Sequence, residues 1–487
     1  MRKFVYGSGS LTRICPCGFE ISSATAASSK EIDHKMTGQE LFTSICERIP
    51  NALARHKVPG VVLGITSEGL DLVGGFGVTN IDHPLPVDEN TLFQIGSTTK
   101  TFTATAAMRL VEQKKLVLDE PIRRYLPDFS MRDSAVTERA TMRHLLTHTG
   151  GWQGDFFPDT GNGDDALAKY VRLLAEVPQL TPLGTVWSYN NAGFSIAGRV
   201  IERIVGTTYE AALRQLVLEP LGLTRSYLFP TQVMVHSFAV GHATSGDKPV
   251  VLQPWPIVRG AVPAGGIVAS MTDQLRYARF HLGDGSTEGG GRLLSRDSME
   301  LMQKPAPATC EYDIGLAWRI RDIGGVRRVF HGGFTYGQLS FFTLVPQRKF
   351  GFALATNSMN GVLFGRDLVR DLLIKFLGND EPEPQEITLD GSRMLEYCGR
   401  YSAASGDLEL SLEERRLKVQ PRPKGGFPTQ ETPPGPTPPP FRVGFVGWDR
   451  IAMVAPPMNE AQGEFLRGAD GTIAWLRWAG RIHARLG

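Results

Sequence analysis

The 487-residue sequence has few cysteines, no long apolar run and almost no net charge, and each shortage excludes a class of protein. Five cysteines (Cys15, Cys17, Cys46, Cys310 and Cys398) are odd in number and widely scattered. That pattern argues against a disulfide framework and fits a reducing compartment, so a cytoplasmic location is expected. Cys15-Pro-Cys17 has no second pair and no nearby histidine, so neither zinc nor any other metal or cofactor is expected. No apolar stretch approaches the roughly 20 residues needed to cross a bilayer. Lys plus Arg number 52 against 50 for Asp plus Glu. No global field therefore favours nucleic acid or an anionic membrane, and the expected partner is a small-molecule or peptide substrate. After Met1-Arg-Lys3 there is no continuous apolar segment of the secretory kind. With Met36 as an alternative start, residues 1–37 read as a disordered N-terminal extension.

What the chain does have is a succession of short periodic segments. Leu41, Ile45, Ile49 and Leu53 predict a helix from Glu40 to Lys57. Gly60–Thr66 and Gly69–Gly77 predict a β-hairpin. Helical patterns follow at Ala166–Val177, Phe194–Val205, Thr272–Leu282 and Gly365–Leu377. Strand patterns occupy Ile314–Ile320, Arg328–Gly333, Gly337–Val345 and Phe350–Thr356, with connections short enough to require antiparallel neighbours. The acidic, proline-bearing run from Asn379 predicts a linker over 379–390. Beyond it, alternating runs such as Leu408–Leu412, Arg416–Gln420 and Thr472–Trp478 predict a small antiparallel β domain over 391–487. Pro421–Pro440 holds nine prolines and is expected to be a long exposed loop.

Three stretches carry chemistry. Ser97 and Lys100 stand three apart where Phe102, Ala106, Ala107, Leu110 and Val111 predict an amphipathic helix with one buried face. A hydroxyl nucleophile thus lies one turn from a cation at a helix start. Alone the spacing is also compatible with an ordinary capped helix start, and Ser245-Gly-Asp-Lys248 repeats it in a polar stretch with no apolar period. Tyr189-Asn-Asn191 sits in a loop leading into a helix. His331-Gly-Gly333 lies on a strand, where the glycines permit close approach of a ligand to the backbone. His144 and His148, four apart, have a spacing that can serve a metal, but no Glu stands between them, and helix packing ended by Gly150-Gly151 is the better account.

In this order the three stretches resemble the serine β-lactamase and penicillin-binding protein superfamily, closest to the class C β-lactamase-like branch that includes esterases and D-aminopeptidases. Thr147-His-Thr-Gly-Gly151 and Pro263-Ala-Gly-Gly-Ile-Val268 are similar to further recurrent segments of that family. The resemblance spans about residues 38–378. It implies an α+β fold of the β-lactamase/transpeptidase type, an antiparallel sheet flanked by helices with a helical subdomain. The C-terminal β domain, with Tyr397-Cys-Gly-Arg-Tyr401 near its start, is similar to the lipocalin-like barrels appended to some such peptidases.

The resemblance also implies roles. Ser97 is the acylated nucleophile. Lys100 or Tyr189 takes its proton, Tyr189 being suited if the Lys100 cation lowers its phenol pKa. Asn191 orients Lys100 or a substrate amide. The oxyanion is held by backbone N–H groups of Ser97 and Phe334, with Gly332 and Gly333 opening the strand. His331 flanks the site in place of the lysine of the family's Lys-Thr-Gly, which removes a permanent cation and leans away from β-lactams and carboxypeptidase substrates. The implied activity is a metal-free serine hydrolase acting through an acyl-enzyme, a peptidase or amidase ahead of a carboxylesterase or an acyltransferase or peptide cyclase. A noncatalytic ligand-binding sensor is the contrasting class.

Overall fold

The computed structural model describes residues 37–486 apart from 68, 247, 254, 307–308, 379–383 and 454–460. Almost all of the expected N-terminal extension, with Cys15 and Cys17, and the first half of the expected linker lie outside the described residues. Among the described residues Cys46, Cys310 and Cys398 are free thiols, and no helix is long and apolar enough to cross a membrane.

A seven-stranded antiparallel sheet carries the first unit. In chain order its strands are β1 (Gly60–Ser67), β2 (Leu70–Gly77), β3 (Asp313–Ile314), β4 (Arg319–Ile323), β5 (Val326–Thr335), β6 (Gln338–Val345) and β7 (Phe350–Thr356). Their spatial order is β2-β1-β7-β6-β5-β4-β3. The sheet is covered on both faces, so β1 is buried along nearly its whole length rather than alternating with water. Val61, Leu63 and Ile65 face helices α1 (Gly38–Cys46), α2 (Ile49–His56) and α6 (Gly361–Leu377) through Phe42, Ile45, Leu53, Phe364 and Leu372. On the opposite face α5 (Met271–Leu282) packs through Met271 and Leu275 onto β1, and α3 (Thr99–Glu112), stacked on α5 through Phe102 and Tyr277, and α4 (Asn191–Val205) belong to the same core.

Several sequence expectations are corrected. The helix expected from Glu40 to Lys57 is two, because Pro50 in the first turn of α2 has no N–H to continue the α1 ladder. The strand expected over Ile314–Ile320 is interrupted by a turn in which the Gly315 N–H donates to Trp318 O at 2.7 Å and Ala317 has φ +67°. Helix α3 does not present one buried face but is buried on all sides from Thr99 to Met108. Its threonines tolerate this by hydrogen bonding: the Thr103 hydroxyl meets Tyr209 Oη and Pro263 O, each at 2.7 Å, and Thr105 meets Tyr277 Oη at 3.0 Å.

The second unit is a closed eight-stranded antiparallel barrel. Its strands are β8 (Gly399–Ser402), β9 (Gly406–Glu413), β10 (Arg416–Pro423), β11 (Phe441–Gly447), β12 (Arg450–Met453), β13 (Gln462–Arg467), β14 (Ile473–Trp478) and β15 (Arg481–Leu486). Closure removes the sheet edges, and inward residues such as Tyr397, Tyr401, Leu417, Val443, Phe445 and Phe465 form the core. Ile387 bridges Phe445 and Leu389 joins that core, so the second half of the expected linker packs on the barrel. Contrary to expectation, Pro421 and Pro423 belong to a strand. They pair with Leu408 and Gly406 on β9, while pairing with β11 stops at Val419. The edge beyond Val419 needs no N–H donors, which is where proline is tolerated.

The barrel seats on the loop 180–189. Trp475 Nε1 donates to Leu180 O at 3.1 Å, Arg477 Nε to Trp187 O at 3.1 Å, and the Ile482 N–H to Ser188 Oγ at 3.2 Å. The β14–β15 hairpin turns on Ala479 (φ +47°) and Gly480 (φ +74°), the mirror-image turn whose twist suits paired strands. That turn points at Tyr189, whose N–H donates to Gly480 O at 2.8 Å.

Candidate active site

Ser97 occupies a short 3-10 turn, Gly96–Thr98, that feeds α3. Gly96 has φ +49°, and a Cβ there would lie 2.6 Å from Phe334 N, so only glycine brings the serine turn this close to β5. A Cβ on Gly333 would lie 1.8 Å from Ile95 O, which fixes the same junction from the strand side. Pairing of β4 with β5 ends at Arg319–Phe330, whereas β6 pairs with β5 to the Thr335–Gln338 turn. A two-residue turn makes its closing pair hydrogen bonded, so the alternation of the ladder turns the Phe334 N–H away from β6, toward the open edge and Ser97.

Lys100 is fully buried one turn along α3. Its Nζ lies 2.6 Å from Ala264 O, 2.7 Å from Asn191 Oδ1 and 3.1 Å from Ser97 Oγ. Burial drives its pKa well below 10.5; Arg481 and Arg319 push the same way, and Asp155 only partly opposes them. A neutral amine has two N–H bonds and one lone pair. Ala264 O and Asn191 Oδ1 can only accept, so they take both N–H bonds and leave the lone pair for the Ser97 hydroxyl. The Asn191 amide is held in that sense because its Nδ2 donates to Asp155 Oδ1 at 2.6 Å.

Tyr189 stands on the other side, its ring centroid 4.8 Å from Lys100 Nζ. The expectation that Lys100 lowers the phenol pKa is overturned. Burial raises it, and the influences that partly offset burial are Arg319, a hydrogen bond with Ser97, and Arg481. The Arg481 guanidinium lies 4.7 Å from the centroid of the Tyr189 ring and that of Arg319 lies 5.6 Å from it. Arg481 is joined to Asp155 at 3.0 Å. Burial pushes the Asp155 carboxyl up, but Arg481 and the hydrogen bonds from Arg481 and Asn191 outweigh it and hold the group ionised.

His331 lies behind this arrangement. It is buried, does not line the cavity over Ser97, and has its ring centroid 6.3 Å from that of Tyr189. Burial, Arg319 and Lys100 hold it neutral. The missing lysine nevertheless does not leave the site without a cation, contrary to expectation, since Arg319 and Arg481 both line the cavity. Gly332, Gly333, Phe334 and Asn191 line it with Ser97 and Tyr189.

Asp155, Arg319 and Arg481 had no motif to mark them, and His148, although it stands in the Thr147–Gly151 segment, had no role at the site assigned to it. His148 is not on a helix with His144: the helix there, Met142–Leu146, has ended, and His148 has φ +57°. Among the described residues no cluster of potential metal ligands forms around either histidine. His148 Nδ1 accepts from the Asn190 N–H at 2.9 Å, and its ring stacks on Tyr189 at 4.6 Å. His148→Phe keeps the stacking but strands a buried donor. It is expected to lower unfolding free energy by about 1–3 kcal/mol in urea titrations, and an unchanged midpoint would remove this fastening role.

A family model described as Beta-lactamase matches residues 45–374. Penicillin-binding protein 4 of Amycolatopsis lactamdurans is 35% identical over 345 residues, 69% of this chain and 91% of that protein. The unguisins hydrolase ungD of Aspergillus violaceofuscus is 25% identical over 72% of this chain and 68% of its own length. Among solved structures, SurE superposes with a TM-score of 0.74 at 24% identity, covering 92% of this chain and all of that one. A class C β-lactamase gives 0.59 at 22% identity, covering 70% of this chain and 98% of its own. The likeness to SurE thus takes in the barrel as well as the sheet unit. On the match over 45–374 and the relative at 35% identity, this chain belongs to the β-lactamase family.

Proposed function

We propose that the protein is a serine hydrolase that forms an acyl-enzyme on Ser97 from a peptide, amide or ester, with peptides first. The carrying observation is the buried Lys100 amine, both of whose N–H bonds are committed to acceptors while its third direction faces Ser97 Oγ at 3.1 Å. Lys100 is therefore the group that takes the Ser97 proton, because burial drives its pKa down toward the neutral amine whereas burial drives the Tyr189 phenol pKa up and keeps its proton on. As Oγ attacks the substrate carbonyl, negative charge forms on the carbonyl oxygen and is received by the N–H groups of Ser97 and Phe334. Collapse of the adduct breaks the bond to the leaving group, which takes the Tyr189 phenol proton. The Lys100 ammonium then reprotonates Tyr189. Water, or an amine in the transferase alternative, resolves the ester by the reverse path.

The peptide preference is supported by the open backbone edge at Gly332–Phe334 and by a cavity of about 880 Å3, large enough for several residues. A relative named as a hydrolase supports hydrolysis as the reaction. Incubation with a fluorophosphonate probe followed by peptide mass spectrometry is expected to place one adduct, on Ser97. A folded protein that takes no label, or takes it elsewhere, removes the acyl-enzyme and favours a ligand-binding protein.

A further inference from the structure

The cavity over Ser97 has one wall made by both units. Phe334 of β5, Phe157 of the sheet unit and Phe427 of the barrel's proline-rich loop all line it. The Phe427 ring lies 5.2 Å edge-on from Phe157 and 5.8 Å from Phe334, centroid to centroid. The loop is fastened there by the Gln430 N–H, which donates to Phe157 O at 3.0 Å. Phe334 is nonetheless 40% exposed, a large ring left facing the cavity beside the nucleophile. Phe341, Leu339 and Ile257 extend the same lining.

Position gives this wall a meaning. A carbonyl oxygen resting on the Phe334 N–H brings the carbon substituent next to that carbonyl within reach of the Phe334 ring. The leaving group must escape, whereas a group under the fastened loop is enclosed between the two units. We propose, resting on the acyl-enzyme reading above, that Phe334, Phe427 and Phe157 form a subsite for an aromatic or large aliphatic side chain on the acyl residue next to the reacting carbonyl. The preferred acyl donor is then a peptide whose residue at the reacting carbonyl is apolar and bulky, and the barrel loop sets that preference through Phe427. Ring-on-ring contact and displaced water supply the selectivity.

The test uses the full chain and p-nitrophenyl esters of N-acetylglycine, N-acetylalanine and N-acetylphenylalanine, which share a leaving group. In the wild type, kcat/KM for the phenylalanine ester is expected to exceed that for the glycine ester by at least about tenfold. Phe427→Ala is expected to lower that ratio by about tenfold and Phe427→Leu to restore part of it. Circular dichroism melts verify that each variant is folded. A wild type that takes the fluorophosphonate on Ser97 yet shows no preference among the esters overturns the subsite alone. An undiminished ratio in folded Phe427→Ala overturns the role of the barrel loop. A wild type that neither labels nor turns over any ester overturns the reading on which both rest.

Discussion

Ser97→Ala and Lys100→Met are each expected to lower turnover of an activated ester by roughly a thousandfold or more, and the double variant to lose little beyond either alone. The reason is that in the proposed mechanism the two side chains act in one event. Lys100 contributes nothing to acylation unless Ser97 Oγ is there to give up its proton, and Ser97 is a weak nucleophile without the lone pair 3.1 Å away. Lys100→Arg is expected to fall as far as Lys100→Met, since a guanidinium stays protonated and cannot accept. Losses that multiply in the double variant, measured in single turnover, would assign the two residues to separate steps and return the proton to Tyr189. The pH dependence has a defined sign. Catalysis is expected to rise as Lys100 loses its proton, on a limb lying well below 10.5. For stability, a pKa lower in the folded than in the unfolded chain makes the contribution of Lys100 full above 10.5 and diminishing as pH falls to the folded value. The unfolding free energy of Lys100→Met relative to wild type should therefore decline as pH climbs through that window.

The parts of this site that were legible in the sequence are those held by local structure. Ser97 and Lys100 share a turn, so their spacing alone puts them side by side. Asn191 opens α4, and its neighbour Asn190 is an N-cap whose side chain accepts from the Gly193 N–H. The strand edge at Gly332 and Gly333 followed from what a glycine pair permits. What stayed hidden is what tertiary contact decides. Arg481 reaches Asp155 across 326 positions, and no periodicity links a barrel hairpin to a loop in another unit. The same blindness explains the error over Tyr189: the resemblance placed one cation, Lys100, beside it, whereas burial sets the phenol and the cations that offset burial are Arg319 and Arg481. It explains His331 as well. A missing lysine was visible, but the cations that stand in for it lie on β4 and at the barrel tip, where only the assembled fold brings them to the cavity. Even the proline-rich segment was half legible: proline excludes a sheet interior, but two of its prolines sit on a strand edge that the turn to β11 leaves unpaired.

Asp155→Ala is expected to lower unfolding free energy by about 3 kcal/mol and to reduce ester turnover together with it, because one carboxylate serves both units. In the intact protein Asp155 accepts from Asn191, which orients the Lys100 amine, and from Arg481, which faces the Tyr189 ring. Removing it leaves the Arg481 cation uncompensated in a position already enclosed by Tyr189 and Tyr312, and frees the Asn191 amide to turn its donor toward Lys100. The two consequences separate in a double-mutant cycle. Asp155→Ala with Arg481→Met removes the orphaned charge, so its stability is expected to recover by more than about 1 kcal/mol over Asp155→Ala alone. Turnover should not recover with it, since Asn191 stays unanchored and the Tyr189 phenol keeps Arg319 but loses Arg481, one of the two cations that partly offset burial. Chemical denaturation and ester kinetics on the same preparations measure both. Additive stabilities would mean that the ion pair does not bind barrel to sheet. Turnover that recovered in the double variant would mean that Asp155 acts on the site only by neutralising Arg481, and not by aiming Asn191 at the lysine.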